Sequence, residues 1–203
     1  MGSDSSCSPT QSLSAAEGTD MPQMRLIQDA ASDDPTDVRD RAILLLLAVY
    51  GFRAGEVAAL RLDDVDWEHD RLTVRRSKPG RSQVYPLMPV VGQAIIRYLK
   101  EARPRRACRE LFLKIRAPIG PMTSKSLYGV VAERIKRLGI HVPRRGPHVL
   151  RHACAGHLMA RGLSLKEIAD HLGHRSLTST RVYAKVDLQG LREVAAFDLG
   201  GLA

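Results

Sequence analysis

From residue 21 onward the apolar positions follow two periods. Met24, Ile27 and Ala31 recur at helical spacing, and "DDPTDVRD" places a proline near a fresh helix start. The unbroken apolar run "AILLLLAVY" predicts a long buried helix, and "GFRAGEVAAL" breaks at Gly51 before helical spacing resumes. "RLTVRR" and "SQVYPL" instead alternate with period two, which predicts two strands joined through the turn-like "SKPG". Beyond them the helical period returns over residues 90–101, 123–138, 147–160, 164–171 and 188–196. Pro147 suits the first position of its helix, and Ser164 with Glu167 forms a capping box at the start of the next. No internal repeat is present. The class expected is mostly α with a small antiparallel β-sheet (α+β).

A chain of 203 residues with 44% hydrophobic content can bury one good core, so one main domain is expected over residues 21–203. Residues 1–20 are rich in serine and other small or polar residues and bury too little to offset ordering entropy, so they are expected to be a disordered tail or a cloning remnant. Charge is unevenly placed. Residues 1–37 hold seven acids and only Arg25, whereas residues 38–203 hold thirty Lys/Arg against fifteen acids. Such a body suits a polyanion, because cations that neutralise phosphates release condensed counterions; a solvated basic surface has the same composition. Three cysteines without CxxC spacing indicate neither a disulfide framework nor a zinc knuckle, which fits a reducing cytoplasm. The N-terminus lacks an export signal, and "AILLLLAVY" is too short to span a bilayer, so no membrane partner is expected.

Several stretches carry chemistry. In "PHVLRH", His148 and Arg151 at i, i+3 share one helix face and could both reach one phosphate. His148 and His152 have the spacing of a metal pair, but nothing completes a ligand set, and no metal is expected. Glu56 stands three residues beyond Arg53 and could orient its guanidinium, or form a plain exposed ion pair. Lys78 sits at the hairpin tip, where a lysine either leans over a bound duplex or merely solubilises the edge. In "LGH", His174 leaves a helix end just after Gly173. "SLKEIADHLGHRSLTSTRVY" also resembles a helix-turn-helix, with residues 164–172 as first helix and residues 178–183 as recognition helix.

Taken in order, Arg53, Glu56, Lys78, "HVLR", "LGH" and Tyr183 resemble the tyrosine recombinase family, also called phage integrases. "GFRAGEVAALRLDDVDW" is similar to the family's first-arginine box and "SKPGRSQVYPL" to its β-hairpin lysine segment. "HVLRH" is similar to its HxxR box and "LGHRSLTSTRVYAKV" to its histidine-to-tyrosine box. The steps from His148 to His174 and from His174 to Tyr183 also match the family's usual spacing, and the likeness covers about residues 21–197.

The resemblance implies a site-specific recombinase that cleaves and rejoins DNA through a 3′-phosphotyrosine, as in mobile-element integration. Tyr183 would be the nucleophile, and a phenol with a pKa of about 10 needs its proton drawn off as it attacks. Arg53, Arg151 and His174 would hold the charge growing on the scissile phosphate, where losing one such donor typically costs about 3 kcal/mol. Lys78 would protonate the departing 5′-oxygen, His148 would handle the tyrosine proton, and Glu56 would orient without reacting. Arg103, Arg105, Arg106, Arg175 and Arg181 are the further DNA-contact candidates, whereas His152, Cys154 and His157 are expected to pack and His171 to be structural or surface. No cofactor or small-molecule substrate is implied; the partners are double-stranded DNA and further copies of the chain, a tetramer on DNA. The tail past Tyr183, with Leu188, Leu191, Val194 and Ala195 at helical spacing, would dock on a neighbouring protomer or fold back on its own core.

Family members normally carry a further DNA-clamping domain before the catalytic one, and here that core-binding domain is expected to be absent. Two rivals remain: a non-catalytic helix-turn-helix regulator, which leaves Arg53, Lys78, His148 and Arg151 unexplained, and a type IB topoisomerase, which shares the tyrosine chemistry but relaxes supercoils.

Overall fold

A computed structural model describes residues 22–76, 82–142 and 145–173. Its elements are helices α1 (Pro22–Asp29), α2 (Pro35–Tyr50) and α3 (Ala54–Ala58), a 3-10 turn (Leu62–Asp64), and strands β1 (Val65–Asp66), β2 (Arg71–Arg75) and β3 (Ser82–Pro86). Helix α4 (Pro89–Arg97) runs on as a π-helical turn (Tyr98–Ala102), and α5 (Ser124–Arg137), α6 (Pro147–Ala160) and α7 (Leu165–His171) follow. The class is the expected one, mostly helical with a three-stranded antiparallel sheet in the order β1-β2-β3.

Helix α2 is the hub. Its residues from Val38 to Tyr50 are buried apart from the half-buried Arg41, because the run "AILLLLAVY" is apolar on every face. It packs against α1, α3, α4, α5, α6 and the π-helical turn. Asp34 caps it by accepting from the Thr36 N–H at 2.8 Å, and Pro35 occupies a first-turn position that needs no donor. Gly51 ends it with φ 63°. A Cβ there would lie 2.6 Å from Leu172 Cδ2 and 3.2 Å from Cys154 Sγ, so glycine is required both by the turn and by the close approach of α6 and α7.

The sheet packs against α3 and meets α2 at its C-terminal end, through Tyr50. In the β2–β3 register Leu72 faces Tyr85 and Val74 faces Gln83, so one row of side chains points inward. Tyr85 meets Phe52 edge-on at 5.0 Å, and Tyr50 stacks on Phe52 at 4.9 Å. The Tyr50 hydroxyl donates to the Pro86 carbonyl at 2.8 Å and accepts from the Met88 N–H at 2.9 Å. A smaller apolar cluster of Cys154, Leu158, Ile168 and Leu172 joins α6 to α7. Near the start of α2, Arg134 of α5 is buried among Asp29, Asp37 and Asp40 and ties α1 and α2 to α5.

Two expectations are adjusted and one element was not anticipated. Helix α1 stands where the helical spacing put it, ends at Asp29 and buries Ile27 as expected; Gln23, Leu26 and, just past its end, Ala30 are buried with it, whereas Met24 and Ala31 are only half-buried, because a helix this short is oriented by what it packs on. The helix expected over residues 90–101 is α-helical only to Arg97, then widens into the π turn that lets Tyr98 stack on Phe112. Strand β1 was not anticipated, because its two residues are too few to show alternation. The helix expected at 188–196, and the tail with Leu188, Leu191, Val194 and Ala195, lie outside the described residues.

Candidate active site

Three stretches far apart in sequence meet beyond the end of α2. The turn at Gly51 lets the chain reverse into α3, where Arg53 is the N-cap and Glu56 the third helical residue. Glu56 reaches back as in a capping box: Oε2 accepts the Arg53 N–H at 2.9 Å and Oε1 accepts the Arg53 guanidinium at 2.9 Å. Arg151, on the second turn of α6, forks between two helix ends. It donates to the Gly51 carbonyl at 2.6 Å and to the Leu172 carbonyl at 2.8 Å. Arg53 donates in turn to the Gly173 carbonyl at 3.4 Å.

Burial works to raise the Glu56 carboxyl, but the Arg53 N–H and the Arg76 and Arg53 guanidiniums outweigh it and hold the carboxyl below the ordinary glutamate range. Burial lowers the Arg151 guanidinium to about 10, with the charge of Arg53 adding to the effect. Arg151 is still a cation at neutral pH, placed by neutral carbonyls rather than by a carboxylate, so its charge remains for an incoming anion.

His148 is one turn before Arg151 on α6 and half-buried; its Nε2 is buried with no hydrogen-bond partner among the described residues. Thus Arg53, Glu56 and Arg151 converge, with His148 at the start of the helix that carries Arg151. Lys78, His174, Arg175, Arg181 and Tyr183 lie outside the described residues, as does the second helix of the helix-turn-helix pattern. The first helix of that pattern, α7, has its end built into the arginine cluster through Leu172 and Gly173, which is not the position of a helix supporting an independent reader.

Arg105 and Arg106 are exposed, as a DNA contact would need. Arg103 is half-buried and donates to the Cys108, Glu110 and Leu111 carbonyls, bracing its own loop. His152 is exposed, while Cys154 packs at the α6–α7 junction and burial raises its thiol to about 12. His171 is buried edge-on against Tyr85 at 5.5 Å. Among the described residues no group of three or more His, Cys, Asp or Glu is placed to hold a metal, and no helix is long and apolar enough to cross a membrane.

Arg76 is the site residue that sequence reasoning passed over. It pairs with Glu56 Oε1 at 2.9 Å, and its side chain is far less exposed than that of Arg53. The signal was present: counting inward positions Leu72 and Val74 by twos lands on an arginine, where an apolar residue is the rule.

A mostly helical body with a three-stranded sheet, presenting two arginines oriented by a glutamate and a helix turn, is the architecture of a tyrosine recombinase catalytic domain. The crystal structure of XerA recombinase matches it with a TM-score of 0.64 at 28% identity, over 84% of this chain and 60% of that one. The lambda integrase catalytic core shares the fold at 21% identity, with a TM-score of 0.56 over 75% of this chain and 92% of that one. Residues 19–189 match the phage integrase family, and the chain belongs to it. The integrase/recombinase y4gC of Sinorhizobium fredii is 41% identical over 87% of this chain and 91% of its own length. Tyrosine recombinase XerD of Mycobacterium tuberculosis is 36% identical over 83% of this chain and 54% of its own length, and y4rA of Sinorhizobium fredii is 45% identical over 84% and 42%. Apart from y4gC, then, the chain spans about half the length of these curated relatives.

Proposed function

We propose that residues 21–203 form the catalytic domain of a tyrosine-type site-specific DNA recombinase. The observation that carries this reading is the convergence of Arg53, Glu56 and Arg151 on the exit of α7, one residue before His174. Those residues have no reason to meet in a plain DNA-binding regulator. The relatives' names, integrase and tyrosine recombinase, support the same reading, and a structural neighbour is a XerH recombinase bound to its difH DNA substrate.

In this reading the Tyr183 oxygen attacks the scissile phosphorus as His148 takes the phenolic proton. The bond to the 5′-oxygen breaks, and Lys78 protonates that oxygen so that it leaves as a hydroxyl rather than an alkoxide. Arg53, Arg151 and His174 hold the charge that grows on the non-bridging oxygens, and Glu56 keeps Arg53 aimed. The 3′-phosphotyrosine keeps the energy of the broken ester, so the 5′-hydroxyl of a second strand reverses the step with its own oxygen. Double-stranded DNA is the substrate, recognised by the basic body with Arg105, Arg106, Arg175 and Arg181, and strand exchange takes place in a tetramer of the chain on DNA.

The test is a nicked suicide duplex drawn from DNA flanking the encoding gene. The expected product is an SDS-resistant protein–DNA adduct, absent in Tyr183→Phe although that variant still binds DNA. Arg151→Ala should slow adduct formation by about a hundredfold or more, with a smaller change in binding. Adduct formation by the Phe variant overturns the assignment of the nucleophile. Relaxation of supercoils without any need for paired sites would move the chain to the topoisomerase class.

A further inference from the structure

We infer that Arg76 is a positioning residue of the cleavage site: it holds Glu56 from the buried side and ties the β2–β3 hairpin to the end of α7, thereby setting where Arg53 and the chain entering His174 stand. The inference rests on the recombinase reading of the cleft.

Arg76 and Arg53 share one carboxylate but face opposite ways. The Arg76 side chain is 10% exposed and that of Arg53 40% exposed, and each stands 2.9 Å from Glu56 Oε1. A carboxylate with a guanidinium on either side has less freedom to follow one partner. Without Arg76, Glu56 and Arg53 would close into a neutral pair and Arg53 would draw less strongly on a phosphate; with it, the trio keeps net positive charge.

The second grip is on α7. Arg76 donates to Gln83 Oε1 from Nε at 3.0 Å, to the Tyr85 hydroxyl, and to the His171 carbonyl at 3.2 Å. Gln83 donates to the Asp170 carbonyl at 3.2 Å and Tyr85 to the His171 carbonyl at 2.5 Å. Three inward side chains of the hairpin therefore take up carbonyls at the last turn of α7, the groups that a helix end leaves unpaired. The guanidinium carbon also lies 5.5 Å from the Tyr85 ring centroid and 6.0 Å from that of Phe52, over the aromatic floor of the site. It closes against Gly173 so tightly that a Cβ there would be 2.5 Å from it. Two residues past Arg76 the chain reaches Lys78, and one past Gly173 it reaches His174. The same buried cation thus braces both the strand end that leads to Lys78 and the helix end that leads to His174.

The test uses the full chain with Arg76→Met and Arg76→Lys. In the free protein, the Glu56 side-chain carboxyl is titrated by carbon-13 NMR; it should titrate below the ordinary glutamate range in the wild type and move up in Arg76→Met. With the nicked suicide duplex at saturation, single-turnover adduct formation should fall by about tenfold to a hundredfold in Arg76→Met while the DNA Kd stays within about threefold, and Arg76→Lys should recover part of the rate. An unmoved Glu56 titration, or equal losses in rate and affinity, overturns the inference. If the wild type forms no adduct on any duplex while Glu56 still responds to Arg76, it is the recombinase reading that falls. Should Arg76→Met fail to fold, Arg76→Lys carries both measurements, with a smaller rise in Glu56 and an intermediate rate expected.

Discussion

Acid should loosen the end of α7 through one buried imidazole. His171 is 3% exposed, and burial, with help from the charges of Arg76 and Arg151 against a hydrogen bond to the Tyr50 backbone, lowers it to about 4. The unfolded chain takes up that proton near the ordinary value of 6.5. Between the two values the unfolded state binds more protons, so the stability supplied by the neutral ring is complete above 6.5 and lost as pH falls toward 4. At about 1.36 kcal/mol per pH unit, the ceiling is about 3 kcal/mol and the loss by about pH 5 is about 2 kcal/mol, a large part of the roughly 5–15 kcal/mol that holds a domain together. The perturbation is His171→Met, which keeps the volume and removes the titration. Urea unfolding, followed by circular dichroism from about pH 7.5 to about pH 5, should show the wild type losing about 2 kcal/mol more than the variant. His157, also lowered by burial, acts in the same direction in both proteins and cancels in the difference, and the lowered carboxyl of Glu56 titrates beneath the window. Parallel pH curves for the two proteins would refute the argument.

Three further outcomes are expected. Gly173→Ala should cost more in Tm than Gly162→Ala: both glycines have positive φ, worth about 1–2 kcal/mol of strain each, but only at Gly173 does a Cβ strike the Arg76 guanidinium; equal losses would remove that contact from the account. Arg134→Met should destabilise by about 3 kcal/mol in urea, because it leaves Asp29, Asp37 and Asp40 without their shared buried cation, and a loss under about 1 kcal/mol would contradict this. Iodoacetamide on the native protein, read by mass spectrometry, should modify the half-buried Cys108 well before Cys154, whose buried thiol sits at about 12; comparable rates would be inconsistent with the packed α6–α7 junction.

Much of the scaffold was legible because its signals are local. Pro147 at the start of α6, Ser164 with Glu167 at the start of α7 and Gly51 after α2 each terminate or launch a helix by their own backbone chemistry, and each stands where the pattern put it. The buried face of α1 was legible only in part and the π turn not at all, since what they pack on, not their own period, decides which residues are covered. In the site, Arg53, Glu56 and Arg151 could be named from sequence because they lie in recognisable boxes, and a helix start explains how Glu56 finds Arg53. That the Arg151 partners are carbonyls could not be read, because backbone oxygens carry no sequence signature. Arg76 was missed although the strand period pointed to it, since an arginine ending a basic run reads first as solvent-facing.

The fork of Arg151 across the Gly51 and Leu172 carbonyls joins the C-terminal ends of α2 and α7. Peptide dipoles concentrate partial negative charge at such ends, and α2 is sunk in the core where little water screens it. The anchor therefore belongs to the main chain, which mutation does not alter. Substitutions elsewhere around Arg151 leave its two acceptors in place, because both are backbone oxygens where helices terminate.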